Sequence, residues 1–295
     1  MTWRFALVID PAGVDDDRRD FSDTFRTIDP TAPALSVGEL STQRGDGIFE
    51  SIGVVDGHPQ EVIAHLDRLA HSAEICDLPA PNREQWRQAI ARAAEHGEPH
   101  GEGVIKLILS RGVEHGPAPT AWVTASAAAD FTRARTNGVR VVTLDRGYAS
   151  DVPDRAPWLL LGAKTLSYAV NMAAIREAKK RGADDAIFVT SDGFVLEAPT
   201  ASLILKLGER FVTPAPTGGI LRGTTQQSLF DHLREEGYET SEERIPVESL
   251  ARADAAWLVS SVRLAAPITA IDDAVIPLDS GLTQAFNRYL LTPRD

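Results

Sequence analysis

One cysteine, Cys76, is all that the 295-residue chain contains. A lone thiol cannot form an intramolecular disulfide or a zinc or iron–sulfur site built from several cysteines, and it suits a reducing cytoplasm. No apolar run approaches the length needed to span a membrane. The opening MTWRFALVIDPAG has only a short apolar stretch before Asp10 and Pro11, too little for the core of a secretion signal. Positive charge is scarce as well. Lys and Arg total 30 against 42 Asp and Glu, a formal charge of −12, which repels a phosphate backbone and argues against nucleic acid as a partner. There is no repeat, no low-complexity segment and no glycine-rich dinucleotide fingerprint.

What is present is enough apolar sequence, 43%, to build substantial cores, and at roughly 100–200 residues per domain the length predicts two domains. Strands are expected at 3–9, at 47–55 running to an Asp56-Gly57 hairpin turn, and at 104–110, 121–125 and 139–144. Val62, Leu66, Leu69, Ala73 and Cys76 recur at three- and four-residue steps and predict a helix over 61–76, with a second at 83–96. This first part, 1–145, reads as a smaller α+β domain. The stretch 146–158, with Pro153, Pro157 and mixed charge, reads as a linker. A larger C-terminal α/β domain, 159–295, then carries a helix from about Leu166 to a Gly182 cap and strands at 186–190, 201–205, 210–212 and 255–260. It also has a helix opened by Gly223-Thr224-Thr225 and running to Leu233.

Only five lysines occur: Lys106, Lys164, Lys179, Lys180 and Lys206. Lys179 and Lys180 are accounted for as charges at a helix end. Lys164 sits among apolar and small residues, a setting that favours burial and a usable amine; the alternative is a strand-end lysine reaching water. Glu197, in an otherwise apolar strand after the Asp192-Gly193 turn, either faces solvent or pairs with a cationic group. Thr224 and Thr225 at a helix start offer hydroxyls and unpaired N–H groups suited to a phosphate, or are an ordinary cap. Ser260 and Ser261 end a strand and could add hydroxyl donors. Arg68 lies off the apolar stripe of its helix, so periodicity alone makes it a solvated arginine.

Six segments in order resemble the signatures of class IV aminotransferases: Arg44-Gly-Asp-Gly-Ile-Phe-Glu50, His65-Leu-Asp-Arg-Leu69 with Ser72-Ala73, Ala163-Lys-Thr-Leu166, Leu196-Glu-Ala198, Ile220-Leu-Arg-Gly-Thr-Thr225 and Leu258-Val-Ser-Ser261. The resemblance spans about 45–278. It implies a fold-type IV, D-amino-acid aminotransferase-like α/β architecture, pyridoxal 5'-phosphate held between the two domains, and a homodimer. It further implies that Lys164 holds the cofactor covalently and is the catalytic amine, that Glu197 faces its ring nitrogen, and that Arg68, Thr224, Thr225 and Ser261 bind its phosphate. Tyr168, four residues past the lysine, is a candidate for the phenolic oxygen. Ser202, Pro199 and Thr200 depart from the family pattern.

Within the family, Gly103-Val-Ile-Lys-Leu-Ile-Leu-Ser-Arg-Gly112 resembles aminodeoxychorismate lyases, which form 4-aminobenzoate and pyruvate. The Arg-x-His carboxylate trap of D-amino-acid transaminases is replaced by Val113-Glu-His-Gly-Pro117. The resemblance thus favours a lyase acting on a small amino substrate, with D-amino-acid or branched-chain transamination as the alternative. Arg263, Lys106 and Arg111 are the cations available for substrate carboxylates. A non-catalytic protein that has kept the fold is the rival of another class, and retention of Lys164 and Glu197 argues against it.

Overall fold

In the computed structural model, which describes residues 3–295, the β-branched and apolar runs form two separate sheets. They belong to two units of the chain. The first comprises Met1–Ala129, Ala163–Tyr168 and Thr292–Asp295; the second comprises Asp130–Gly162 and Ala169–Leu291.

In the first unit the strands β1 (Trp3–Ile9), β2 (Phe25–Ile28), β3 (Gly47–Val55), β4 (His58–Pro59), β5 (Glu102–Ser110) and β6 (Thr120–Ala127) lie in the order β2-β1-β6-β5-β3-β4. Every pairing in this sheet is antiparallel. Asp56 (φ 47°) and Gly57 (φ 77°) both adopt the left-handed conformation that a two-residue hairpin turn requires. Helices α1 (Leu40–Gln43), α2 (Val62–Ile75) and α3 (Arg83–Glu95) complete the unit. The Asn82 side chain caps α3 by accepting from the Gln85 N–H at 3.0 Å. Helix α2 packs on β3 and α3 on β6 and β1. Alternation along β3 sends Ile48, Glu50 and Ile52 to the buried face, while Phe49 and Ser51 take the other.

The outer edge of β3, opposite β5, is filled from far along the chain. Phe49 N–H donates to the Lys164 carbonyl at 3.0 Å, Leu166 N–H donates to the Gly47 carbonyl at 2.8 Å, and Ile48 bridges Thr165. The helix expected from Leu166 therefore starts later, as α6 (Ala169–Lys180), because the residues before it are committed to the strand edge.

The second unit holds α4 (Thr132–Asn137), β7 (Val139–Asp145), α5 (Val152–Arg155), α6, β8 (Asp185–Val189), β9 (Ser202–Leu207), β10 (Arg210–Pro214), α7 (Thr224–Glu235), β11 (Glu239–Glu243), β12 (Ala255–Ser260), β13 (Leu264–Ile271), β14 (Ala274–Val275) and α8 (Ser280–Leu290). Its sheet runs β11-β10-β9-β12-β13-β7-β8, with β14 beside β13. Pairing is parallel at β10/β11, β13/β7 and β7/β8. Both faces are covered, so the middles of the central strands, Leu203–Leu205 and Ala255–Val259, are continuous apolar runs. Leu203, Leu205, Ala256 and Leu258 enter one core, whereas Ile204, Trp257 and Val259 enter the other with Leu229 of α7 and Phe286 of α8.

Two expectations differ from the structure. The chain passes from one unit to the other at Ala129/Asp130, not in the 146–158 stretch, because β7 pairs in parallel with β8 and β13 and so belongs to the second sheet. The segment around Glu197 is not a full strand but a set of isolated bridges, Phe194 to Pro246, Val195 to Val189 and Ala198 to Ala201. Among the described residues no helix is long and apolar enough to cross a membrane.

Gly47 sits where β3, β5 and the 163–168 segment crowd together. A Cβ there would lie 2.8 Å from both the Leu109 carbonyl oxygen and Leu166 Cδ1, and 2.9 Å from Ser110 Cα. Since two of the three obstacles are backbone, Gly47→Ala is expected to cost about 1–3 kcal/mol. Urea unfolding is the check, and an unchanged midpoint would contradict this packing.

Candidate active site

In the first unit, Lys164 is fixed from two directions. Its carbonyl accepts from β3, as described, and its own N–H donates to Ser72 Oγ of α2 at 3.1 Å. The side chain turns to the face of the sheet that carries Phe49: Nζ lies 4.7 Å from the Phe49 ring centroid and 6.0 Å from that of Tyr168. The two rings meet edge to face at 5.3 Å. The ammonium is thus half-buried against aromatic faces. Lys106 belongs to the same open face: Phe49 pairs with Ile108, and two residues along Ser51 pairs with Lys106. Its side chain is half-buried.

Arg68 is not solvated. Its side chain is 10% exposed, and Nε and Nη2 donate to Oε1 and Oε2 of Glu50, each at 2.7 Å. Glu50 has no exposure, and its Oε2 also receives Nδ1 of the equally buried His65 at 2.7 Å. Burial would raise the Glu50 carboxyl, but the charge and hydrogen bonds of Arg68, with those of His65, hold it far below the usual carboxylate range. His65, Arg68 and Ser72 recur at three- and four-residue steps beside the apolar row of α2. The buried stripe is therefore wider than the apolar residues alone indicate.

In the second unit, Glu197 is held by its neighbours in the bridge ladder. Leu196 N–H donates to the Phe188 carbonyl at 2.8 Å and Phe188 N–H to the Glu197 carbonyl at 2.9 Å. The carboxylate, half-buried, accepts from Leu221 N–H at 3.2 Å. Burial pushes the nearby Tyr148 hydroxyl up; Arg146 opposes the shift, and the Glu197 charge adds to it.

Thr224, Thr225 and Ser261 come together. Ser261 Oγ lies 3.4 Å from Thr224 Oγ1 and 3.2 Å from Thr225 Oγ1. Both threonines are buried in the first turn of α7, where Gly223 is the N-cap and contributes no side chain to cap it. The backbone N–H groups and positive dipole end there favour an anion. A Cβ on Gly223 would run into Ser202 Oγ, so any larger residue there would have to turn the Ser202 hydroxyl aside. Ser260 points elsewhere: its Oγ accepts from Arg263 N–H at 3.3 Å.

Two of the three expected substrate cations are engaged elsewhere. Arg263 donates to Asp185 Oδ2 at 2.7 Å and to Thr200 Oγ1 at 3.2 Å. Arg111 donates to Asp46 at 2.8 Å and to the Cys76 and Asp77 carbonyls at 2.7 and 3.1 Å, closing the C-terminal end of α2. Reading the sequence did not assign roles to Glu50, His65, Phe49, Ser72 or Tyr148. Glu50 had a signal, because strict alternation in β3 puts a carboxylate on the core face, and such a group demands a cation.

A sequence model of the family described as amino-transferase class IV matches residues 47–271. The chain is 44% identical over 260 residues to the bifunctional aminodeoxychorismate lyase / D-amino acid transaminase of Mycobacterium tuberculosis, covering 85% of this chain and 90% of that one. Among solved structures, a fold IV transaminase from Curtobacterium pusillum matches with a TM-score of 0.92 at 47% identity, over 98% of this chain and 99% of that one. The PLP-bound form of a hypothetical aminotransferase from Mycobacterium tuberculosis gives 0.85 at 39% identity over 97% of both chains.

The Arg263 pair yields an expectation opposite to a substrate contact. Its side chains are 14% and 4% exposed, so Arg263→Ala leaves Asp185 buried without its cation and should destabilise the protein by about 3 kcal/mol. Adding Asp185→Asn should recover part of that loss in chemical unfolding. A raised KM with an unchanged unfolding midpoint would instead return Arg263 to the substrate.

Proposed function

Because this chain belongs to the amino-transferase class IV family, we propose that its preferred reaction is the lyase reaction on 4-amino-4-deoxychorismate, giving 4-aminobenzoate and pyruvate. The protein is a pyridoxal-phosphate enzyme of fold type IV. The observation that carries the lyase reading is the relative from Mycobacterium tuberculosis, whose name pairs that lyase with D-amino acid transamination. The lyase-like run Gly103 to Gly112 and the replacement of the Arg-x-His trap by 113–117 support the lyase over the transaminase. D-amino acid transamination is the second reading, favoured by the same relative.

The residues fit the cofactor chemically. Three hydroxyls at an uncapped helix start suit a phosphate, a carboxylate held by a backbone N–H suits a protonated ring nitrogen, and an amine against two aromatic rings suits a covalent attachment. When bound, the cofactor supplies an electron sink for charge developing on the substrate. In this reading Thr224, Thr225, Ser261 and Arg68 bind the phosphate, while the Ser260 hydroxyl, expected beside them, holds the Arg263 N–H instead. Glu197 keeps the ring nitrogen protonated, and Leu221 N–H keeps Glu197 oriented. Tyr168 lies beside Lys164 as the candidate for the phenolic oxygen.

With the cofactor bound, Lys164 Nζ would be the base and acid of the site. It would take the proton from C4 of the substrate ring as the C3–O bond breaks and the ring becomes aromatic, and would return a proton to the departing enolpyruvate, giving pyruvate. With Arg263 and Arg111 engaged elsewhere, Lys106 is the cation best suited to a substrate carboxylate. The reading includes a homodimer in the cytoplasm, as the sequence led us to expect.

Borohydride reduction of the holoenzyme followed by peptide mapping is expected to place the cofactor on Lys164. Label on Lys106 or Lys206, with Lys164 unmodified, would overturn the assignment. On one preparation, 4-aminobenzoate should form from aminodeoxychorismate faster than amino groups pass from D-alanine or a branched-chain donor to 2-oxoglutarate. Efficient transfer without 4-aminobenzoate would reject the lyase in favour of the second reading.

A further inference from the structure

Glu50 does nothing in the chemistry just described, yet it is the most fully buried charge in the first unit's polar cluster. It sits on β3 with both oxygens engaged. Arg68 Nε takes Oε1, and Arg68 Nη2 and His65 Nδ1 share Oε2, all at 2.7 Å. His65 and Arg68 lie three residues apart on α2, so one strand and one helix meet at a single carboxylate. With Nδ1 donating to Glu50, His65 carries its proton on that nitrogen.

From this geometry we infer that Glu50, steadied by His65, is the positioning residue that fixes the Arg68 guanidinium for the cofactor phosphate. The inference rests on the proposed role of Arg68 as a phosphate ligand. Two effects oppose each other. An arginine free to choose among rotamers must give up side-chain freedom to bind an anion, and the bidentate contact removes that freedom beforehand. Against this, the Glu50 charge partly offsets the guanidinium and so weakens its pull on a dianion. Preorganisation wins here because a guanidinium stripped of its buried partner does not stay put. It is already 10% exposed, so it can relieve the cost of an unpaired buried charge by swinging to water, away from the phosphate.

The test compares binding of pyridoxal 5'-phosphate with binding of pyridoxal, which lacks the phosphate, to protein freed of cofactor. Glu50→Gln should raise the Kd for pyridoxal 5'-phosphate roughly tenfold or more, the scale of one charge-assisted hydrogen bond, and leave that for pyridoxal unchanged. In an Arg68→Ala background the same change should have no further effect. If Glu50→Gln fails to fold, His65→Gln, which leaves the Glu50–Arg68 contact intact, should show the same selective loss on a smaller scale, and Glu50→Asp should fall between. Equal weakening of both ligands would make the cluster merely structural. Unchanged or tighter phosphate binding would mean that Glu50 only neutralises charge, and either result overturns the inference. If Arg68→Ala itself leaves the Kd for pyridoxal 5'-phosphate unchanged, the failure lies instead with the phosphate assignment.

Discussion

Burying a carboxylate is expensive unless cations meet it with good geometry, and at Glu50 that requirement organises much of the first unit. A guanidinium and an imidazole N–H come from one helix, so α2 can satisfy the carboxylate only in one rotation about its axis. That rotation places Leu66 and Leu69 in the core and brings Ser72, one turn past Arg68, to the N–H of Lys164. A charge interaction inside the sheet thereby sets the position of an amine on a different stretch of chain. The aromatic pair of Phe49 and Tyr168 then decides where that amine points.

The second unit presents its carboxylate, Glu197, through backbone geometry. A carboxylate is presented by a bridge ladder too short to count as a strand, and the Leu221 N–H helps to orient it. Hydroxyls from the start of α7 and the end of β12 are brought within 3.2–3.4 Å of one another. Backbone geometry supplies the precision here, and side chains supply the chemistry. Long-range sheet pairing in β9 and β12 holds these loop positions on a rigid base.

Much of this was legible in the residues. Alternation, helical periodicity and continuous apolar runs located β1, β3, α2, α3 and β12 nearly to the residue, because each run is bounded by turn or cap residues. The edge strand β11 was not legible, since Glu239–Glu243 is polar throughout and owes its shape to parallel pairing with β10. Strand β13 contains Pro267 opposite Trp257, a residue that local propensity would exclude from a central strand and that tertiary pairing tolerates. At the site, Lys164 stood out by scarcity and resemblance. Arg68 was misread by periodicity because a polar row beside an apolar one looks like a solvated face until its partner on another element is known. Arg263 and Arg111 looked available for the same reason: the acid and the carbonyls that engage them lie 78, 35 and 34 residues away.

The edge contact between β3 and 163–168 also governs the order in which the protein can be made. The first unit is discontinuous, and its outer strand edge at Gly47–Phe49 is completed only by residues that follow 130–162 in the chain. A nascent chain halted after Ala129 presents that edge with unpaired peptide groups and lacks Lys164 entirely, a state open to pairing with other chains. Residues 163–168 must therefore emerge from the ribosome before this edge of the sheet can be sealed.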